Sequence, residues 1–285
     1  FAKAFQASDC NYYDDLTELA NDPYVQAVYI ASPNSLHCEQ ACFLMNHGKH
    51  VICEKPVASN FDQAQKMYLT AEENGVVLFE AFKTEFLPNF EELKRNLPSV
   101  GKLNNVYLSY CQYSSRYQKY LNGENPNTFN PEFSNGSVMD IGYYCIAAAI
   151  SLFGKPDNVQ ASAKLLESGV DAYGTALLTY ENFIVTVQHS KVSDGYIPSE
   201  IQGEEGVILL DHFSECTGFT IQNRNGGYES INLIQDENSM SYEAIAFAEQ
   251  IQQGVMNQAY VQRSLEVSET ITEIRKQTGV VFPAD

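Results

Sequence analysis

HVICEKPVASN, residues 50–60, runs a short β-like segment, His50 to Cys53, into the charged pair Glu54 and Lys55 and then stops at Pro56. Proline has no N–H to give to a ladder, so the strand ends there. A buried strand ending in Glu-Lys-Pro sets an amine at the carboxyl edge of a sheet, where open α/β sheets bind ligands. Read alone, Lys55 is equally a solvated loop lysine closing a strand, and the flanking sequence has to choose.

Upstream, Val25–Ala31 (VQAVYIA) is an almost continuous apolar run of strand length, the pattern of a strand covered on both faces. A turn at Ser32-Pro33-Asn34-Ser35 leads into a helix, Leu36–His47, stopped by Gly48. A short helix over Asp14, Asp15, Leu16, Leu19 and Ala20 precedes this strand and breaks at Asn21-Asp22-Pro23. Downstream, Asn60 with Gln63 three residues on has the form of a capping box opening a helix, Phe61–Asn74, closed by Gly75. Val76–Ala81 (VVLFEA) is the next buried strand. Helices alternating with strands through short glycine-closed links mark βαβ units and a parallel sheet. Residues 1 to about 85 therefore read as half of a doubly wound, Rossmann-type sheet.

The texture changes after Pro98. Leu103–Tyr113 alternates, an Asn- and Pro-rich loop spans Gln118–Gly136, and Ser137–Phe153 is an apolar helix stopped at Gly154 and Pro156. Strands are predicted at Val159–Leu166, Ala172–Tyr180, Phe183–Val192, Val207–Leu210 and Phe219–Gln222, with Glu181-Asn182 as a hairpin turn. Helices at Tyr242–Gly254 and Ser264–Thr278 close the chain. This half reads as a large, mainly antiparallel open sheet. The expected division is a partial nucleotide-binding unit over 1–98 and a substrate and dimerisation unit over 99–285, whose last helix packs back on the first.

Composition narrows the partners. Lys and Arg number 17 against 36 Asp and Glu, a formal charge of −19. So acidic a surface repels nucleic acid and anionic lipid. The 7 cysteines are an odd number set mostly in apolar runs, as reduced core thiols in the cytoplasm would be. No signal-peptide pattern and no uninterrupted apolar run of membrane-spanning length is seen. Phe1–Gln6 reads as the tail of a helix, so further residues are expected before it.

For chemistry, Asp140 and Tyr144 lie one turn apart on the same helix face, just after the turn Asn135-Gly136-Ser137. Both also have structural readings, as a first-turn acid and a half-buried tyrosine. His37, Cys38, Cys42, His47 and Cys53 are close in sequence but lack the paired spacing of a zinc site, and no metal is expected. There is no G-x-S-x-G for a nucleophile elbow. Nor is there a G-x-G-x-x-G; its place would follow a first strand lying before Phe1.

Four stretches in order, AVYIASPNSLHCEQA (27–41), GKHVICEKPVA (48–58), SNGSVMDIGYY (134–144) and IRKQTGVVFPAD (274–285), resemble the glucose-fructose oxidoreductase, inositol dehydrogenase and MocA family, above all its dimeric dihydrodiol dehydrogenase branch. That resemblance implies a nicotinamide-binding Rossmann domain, an open-sheet second domain that often dimerises, and NAD or NADP as cofactor. It implies hydride transfer at the carbinol or carbonyl carbon of a sugar, polyol or diol, with a homo-oligomer as the working form. It makes Lys55 the lysine at the substrate hydroxyl, the Lys55-Pro56 peptide cis, Tyr144 the acid–base group and Asp140 its orienting partner. Ser32, Pro33, Asn34, His37, Glu54, Lys55 and Pro56 are then expected to line the cofactor, and Arg116, Tyr117 and Tyr143 the substrate. A lysine ammonium beside the phenol is expected to lower its pKa. His189 is read as structural. Ser134-Asn135-Gly136 departs from the three glycines frequent in the family, which bears on the shape of that loop. The competing reading is a non-catalytic sensor of the same fold, which would have no use for Lys55, Asp140 and Tyr144 together.

Overall fold

The computed structural model describes residues 11–285. The helix tail expected over Phe1–Gln6, and Cys10, lie outside them. The chain opens with α1 (Leu16–Asn21), whose N-cap Asp15 accepts from the Thr17 N–H at 2.6 Å. It continues as β1 (Ala27–Ile30), α2 (Asn34–Asn46), β2 (His50–Glu54), α3 (Phe61–Glu73) and β3 (Leu78–Ala81). The three strands pair in parallel in the order β1-β2-β3, with Ala27 opposite His50 and Val51 opposite Leu78. Asn60 caps α3 by accepting from the Gln63 N–H at 2.9 Å, as a capping box requires. The return bond is different: Gln63 Oε1 accepts from Ser59 N–H at 3.3 Å, one residue early.

Burial follows the apolar runs for β2 and β3, which are covered on both faces. β1 departs from that expectation: Ala27 and Tyr29, on one face of the strand, are exposed, while Ile30 on the other is buried. One face of the sheet rests on α2 and α3 through Met45, Val51, Ala64 and Met67.

After α4 (Pro88–Asn96) the second sheet begins with β4 (Leu103–Cys111), followed by α5 (Tyr117–Leu121) and α6 (Tyr143–Phe153). Then come β5 (Asn158–Leu165), β6 (Asp171–Thr179), β7 (Ile184–Ser190), β8 (Ser199–Gly203), β9 (Gly206–Leu210), β10 (Phe219–Asn223) and β11 (Tyr228–Ile231). Their order is β11-β10-β9-β8-β4-β7-β6-β5, antiparallel throughout except for the parallel pair β4–β7. The β6–β7 turn falls at Glu181-Asn182, with Tyr180 N–H donating to Phe183 C=O at 3.0 Å. α7 (Met240–Gln253) covers the other face of the parallel sheet, Phe247 packing on Phe79. α8 (Gln258–Thr278) lies against α3, α6 and β5, so it touches both sheets.

The apolar helix predicted from Ser137 is not uniform: Val138–Gly142 forms one π-helical turn and α6 proper starts at Tyr143. The segment 131–153 is long and apolar enough by composition to cross a membrane, yet it is mostly buried inside the protein as core.

Candidate active site

The site forms where the carboxyl ends of the parallel strands meet the start of α6. β2 delivers Lys55, and the Lys55-Pro56 peptide is cis. The Lys55 ammonium reaches across to the π-helical turn, donating to the Asp140 carbonyl at 2.8 Å and to Asp140 Oδ1 at 2.9 Å. It lies 4.6 Å from the centre of the Tyr144 ring. Asp140 and Tyr144, four residues apart, thus both face Lys55, which lies 85 positions before Asp140 in the chain.

Tyr144 is held edge-on by Tyr110, ring centres 5.7 Å apart, and flanked by Phe82 at 6.2 Å. Among the described residues no protein group hydrogen-bonds its hydroxyl. Burial raises the phenol's pKa, and the opposing pull of Lys55 is not enough to reverse it. The lowering expected from a neighbouring lysine is therefore overturned: desolvation of the phenolate wins, with Asp140 adding to it. Burial disfavours the Lys55 ammonium, but Asp140 and Tyr144 outweigh it and hold the pKa above the usual lysine value. Asp140 is the mirror image. Burial pushes its carboxyl up, and the ammoniums of Lys55 and Lys191 pull it well below the carboxylate range.

Lys191 was not singled out from the sequence. It follows the last residue of β7 and donates to Asp140 Oδ2. Nothing local marks it, because the contact spans 51 residues and arises only when β7 pairs beside β4.

The remaining expected residues fall into three groups. Glu54 accepts from the Lys55 N–H at 3.2 Å and from the Tyr29 hydroxyl at 2.6 Å. Ser32, Pro33 and Asn34 are half-exposed at the end of β1; Ser32 donates to Gln40, and Asn34 Nδ2 donates to the Ser134 carbonyl at 2.9 Å. Arg116 is exposed beside α5, in a segment whose Ser114 N–H donates to the Lys191 carbonyl at 2.8 Å. Tyr117 packs its ring on Tyr113 and Phe129.

Two expectations need correcting. His37 is wholly buried, its ring nitrogens 3.0 Å from the Pro56 carbonyl and 2.9 Å from the Ser32 carbonyl. It braces the two strand ends from beneath and offers no surface to a cofactor. Tyr143 is also wholly buried, with its hydroxyl 3.4 Å from Arg263, so it cannot touch substrate. At position 143 the helix faces the core; the exposed side is that of Asp140 and Tyr144.

Beneath the site, Asp171 accepts from the Ser137 N–H at 3.1 Å and the Val138 N–H at 2.7 Å, capping the turn that carries Asp140. His189 Nδ1 sits 2.8 Å from Ser137 Oγ, and the ring fills the space below Gly142, where a Cβ would approach it to 3.0 Å. Its role is structural, as expected. The Ser134-Asn135-Gly136 loop bends sharply without three glycines. Ser134 takes φ 51°, and its hydroxyl is tied to Ser59 at 2.7 Å. Gly136 takes φ 138°, where a Cβ would come within 2.4 Å of Asp171 Oδ1.

This buried pair makes a pH prediction. Burial raises Asp171 from 3.8 to about 6 and lowers His189 from 6.5 to about 4. The raised carboxyl contributes stability that is lost as pH rises through 6. The lowered imidazole contributes stability that is lost as pH falls from 6.5 toward 4, so the two offset between pH 4 and 6. In Asp171→Asn only the histidine's contribution remains. Chemical denaturation at pH 6 and pH 4 should show this variant losing about 1 kcal/mol per pH unit more than wild type on acidification.

A parallel sheet gathers an ammonium, a carboxylate and a phenol at its carboxyl edge and is backed by a large antiparallel sheet; the class to which the chain belongs is that of the nicotinamide-dependent oxidoreductases. Residues 1–82 match the oxidoreductase family with NAD-binding Rossmann fold, and residues 98–209 match the GFO/IDH/MocA C-terminal domain; the chain belongs to the GFO/IDH/MocA oxidoreductase family. It is 50% identical over 285 residues to the uncharacterized oxidoreductase YgjR of Escherichia coli (strain K12), covering 100% of this chain and 86% of that protein. It is 48% identical over 275 residues to the scyllo-inositol 2-dehydrogenase (NADP(+)) IolU of Bacillus subtilis (strain 168), covering 96% and 84%. Among solved structures, levoglucosan dehydrogenase in complex with NADH and levoglucosan superposes with a TM-score of 0.81 over 98% of this chain and 84% of that one. At 21% identity that likeness is one of fold.

Proposed function

We propose that the protein interconverts a secondary hydroxyl and a ketone on a cyclic polyol or sugar, with Lys55, Asp140 and Tyr144 as its acid–base set. The observation that carries this is the Lys55 ammonium, fixed by the carbonyl and carboxylate of Asp140 and lying over the Tyr144 ring. The residues at the strand ends suit a nicotinamide nucleotide. Ser32, Pro33 and Asn34 leave a half-exposed polar rim at the start of α2, whose N-cap Pro33 supplies no side-chain acceptor to its free N–H groups. Glu54 and Lys55 would form the adjoining rim; Pro56, expected beside them, is buried and turns its carbonyl to His37. NAD or NADP, bound there, accepts or supplies the hydride.

The chain's own part is to move the proton. At neutral pH the raised Tyr144 pKa keeps a phenol, which donates to the oxygen of a ketone as it is reduced. In the oxidative direction the phenol must first lose its proton, so oxidation is favoured at higher pH. Lys55 hydrogen-bonds the reacting oxygen and stabilises its developing negative charge. Asp140 fixes that ammonium through two bonds, so little reorganisation is needed during the reaction. Arg116, exposed two residues from the Ser114–Lys191 backbone bond, is our candidate for a distal substrate contact, with Tyr117 a second.

The two sheets support a division near residue 98, a cofactor unit before it and a substrate unit after. Tyr107, Tyr173, Leu177 and Ile184 share the sheet face turned away from α6 and α8, a surface suited to pairing with a second copy. The six described cysteines are free, which suits a cytoplasmic location.

The test is a stopped-flow panel at the reduced-nicotinamide absorbance, with scyllo-inositol, myo-inositol, levoglucosan and simple aldoses against NAD+ and NADP+. Turnover with a cyclic polyol or sugar is the expected result. Tight cofactor binding without turnover on any of them would favour the non-catalytic sensor instead.

A further inference from the structure

The Asp140 carboxylate has two oxygens, and each faces a different ammonium. Lys55 donates to Oδ1 at 2.9 Å, and Lys191 donates to Oδ2. Lys191 is anchored on both sides of its backbone: its N–H donates to the Ala172 carbonyl at 2.9 Å, and its carbonyl accepts from the Ser114 N–H at 2.8 Å. Its side chain is only 9% exposed, against 12% for Lys55 and 33% for Asp140. Taking an ammonium that far out of water is costly unless it is paired. Here the partner is a carboxylate that Lys55 already satisfies.

Orienting Asp140 requires one cation. The second adds charge, since two ammoniums against one carboxylate leave one positive charge in a chain whose formal total is −19. Among the described residues, the titratable and charged groups facing Tyr144 are Lys55 and Glu54 from the end of β2, Asp140 from the preceding turn, Tyr110 from β4 and the neighbouring Tyr143. Of these, Lys55 alone favours the phenolate, and Asp140 is the nearest charge that can cancel it.

We propose that Lys191 is a positioning residue of this site: by sharing Asp140 it keeps that carboxylate from neutralising Lys55, so the ammonium over the Tyr144 ring acts on the phenol with its charge intact. The proposal rests on Tyr144 being the acid–base group. Loss of Lys191 leaves Asp140 paired with Lys55 alone, the charge around the phenol falls by one, and the phenol holds its proton to higher pH.

The experiment compares the full-length enzyme with Lys191→Met, Lys191→Arg and Tyr144→Phe. It follows oxidation of scyllo-inositol, or the best substrate of the panel above, by NADP+ across the pH range, with NADPH binding by nicotinamide fluorescence and thermal melting alongside. In Lys191→Met the acidic limb of kcat/KM should move up by about one pH unit, a roughly tenfold loss at pH 7. Lys191→Arg should restore the limb, and NADPH affinity should stay within about twofold of wild type in both. A limb that does not move, with rates lowered equally at every pH, would make Lys191 an ordinary structural ion pair. So would failure of both Lys191 variants to fold. If Tyr144→Phe abolishes the limb while Lys191→Met leaves it in place, the role of Lys191 alone falls. If Tyr144→Phe keeps wild-type rates and profile, the acid–base assignment falls and this proposal with it.

Discussion

Lys55→Ala lowers the rate of hydride transfer by a factor of roughly 10² to 10⁴ while the protein still binds the cofactor. Lys55 contacts both Asp140 and the Tyr144 ring, so its removal strips two roles at once. The reacting oxygen loses the ammonium that stabilises its charge, and the phenol loses the group that opposes burial. Asp140 is not left uncompensated, because Lys191 still pairs with its other oxygen. The fold should therefore survive, which makes the loss readable as chemistry. Tyr144→Phe removes the proton donor but keeps the ring packed against Tyr110 and Phe82, and the same range of loss is expected with little change in stability.

Arg263→Leu destabilises the protein by about 3–5 kcal/mol, a drop in Tm on the order of 10 °C by thermal melting. Arg263 extends from α8 into a wholly buried cluster. It donates to Glu80 Oε2 at 2.6 Å and to Glu85 Oε2 at 3.1 Å, with its guanidinium 5.3 Å from the Phe82 ring. Glu80 in turn accepts from the Val57 N–H at 2.8 Å, two residues beyond Lys55. Ser264 also donates to Glu80, and Ser151 of α6 to Glu85. One side chain thus ties α8 to the end of β3, to the loop carrying Lys55 and to α6. Leucine leaves two buried carboxylates without their main partner. Burial raises the Glu85 carboxyl, and Arg263 and Lys94 outweigh it, holding the pKa below the usual value. With the arginine gone the Glu85 pKa rises, so the stability deficit of Arg263→Leu should shrink as pH falls and the Glu85 carboxylate takes up a proton.

The legible parts of this chain are those written locally. The parallel sheet followed from apolar runs of strand length closed by Gly48 and Gly75, and the start of α3 from Asn60. The end of β2 at Glu-Lys-Pro located Lys55, while the four-residue spacing of Asp140 and Tyr144 put them on one helix face. Their convergence came from the family resemblance and not from spacing, since a contact across 85 residues leaves no periodic trace.

What was missed depends on distant partners. β8 (SEIQG) is short and half polar, and it is a strand because β4 and β9 lie on either side of it. β11 (YESI) is exposed and pairs only with β10. α8 begins at Gln258, six residues before the expected start, and its signal was present in Asn257, whose side chain accepts from the Ala259 N–H at 3.0 Å. Tyr143, expected at the substrate, sits next to Tyr144, but adjacent helical residues point about 100° apart and only one of them faces the cleft. The sign of the Tyr144 shift also escaped a sequence argument, because burial of the ring is set by Tyr110, Phe82 and the surrounding core. Lys191 and the Glu80–Arg263 cluster belong to the same class, being ion pairs made by tertiary packing alone.

The most direct test of the central claim is single-turnover absorbance of the reduced nicotinamide, after mixing cofactor-loaded enzyme with substrate, in wild type, Lys55→Ala and Tyr144→Phe. The account predicts that both variants bind cofactor with near wild-type affinity and that the first-order hydride-transfer step slows at least a hundredfold in each. Hydride transfer at the wild-type rate in both variants would contradict it.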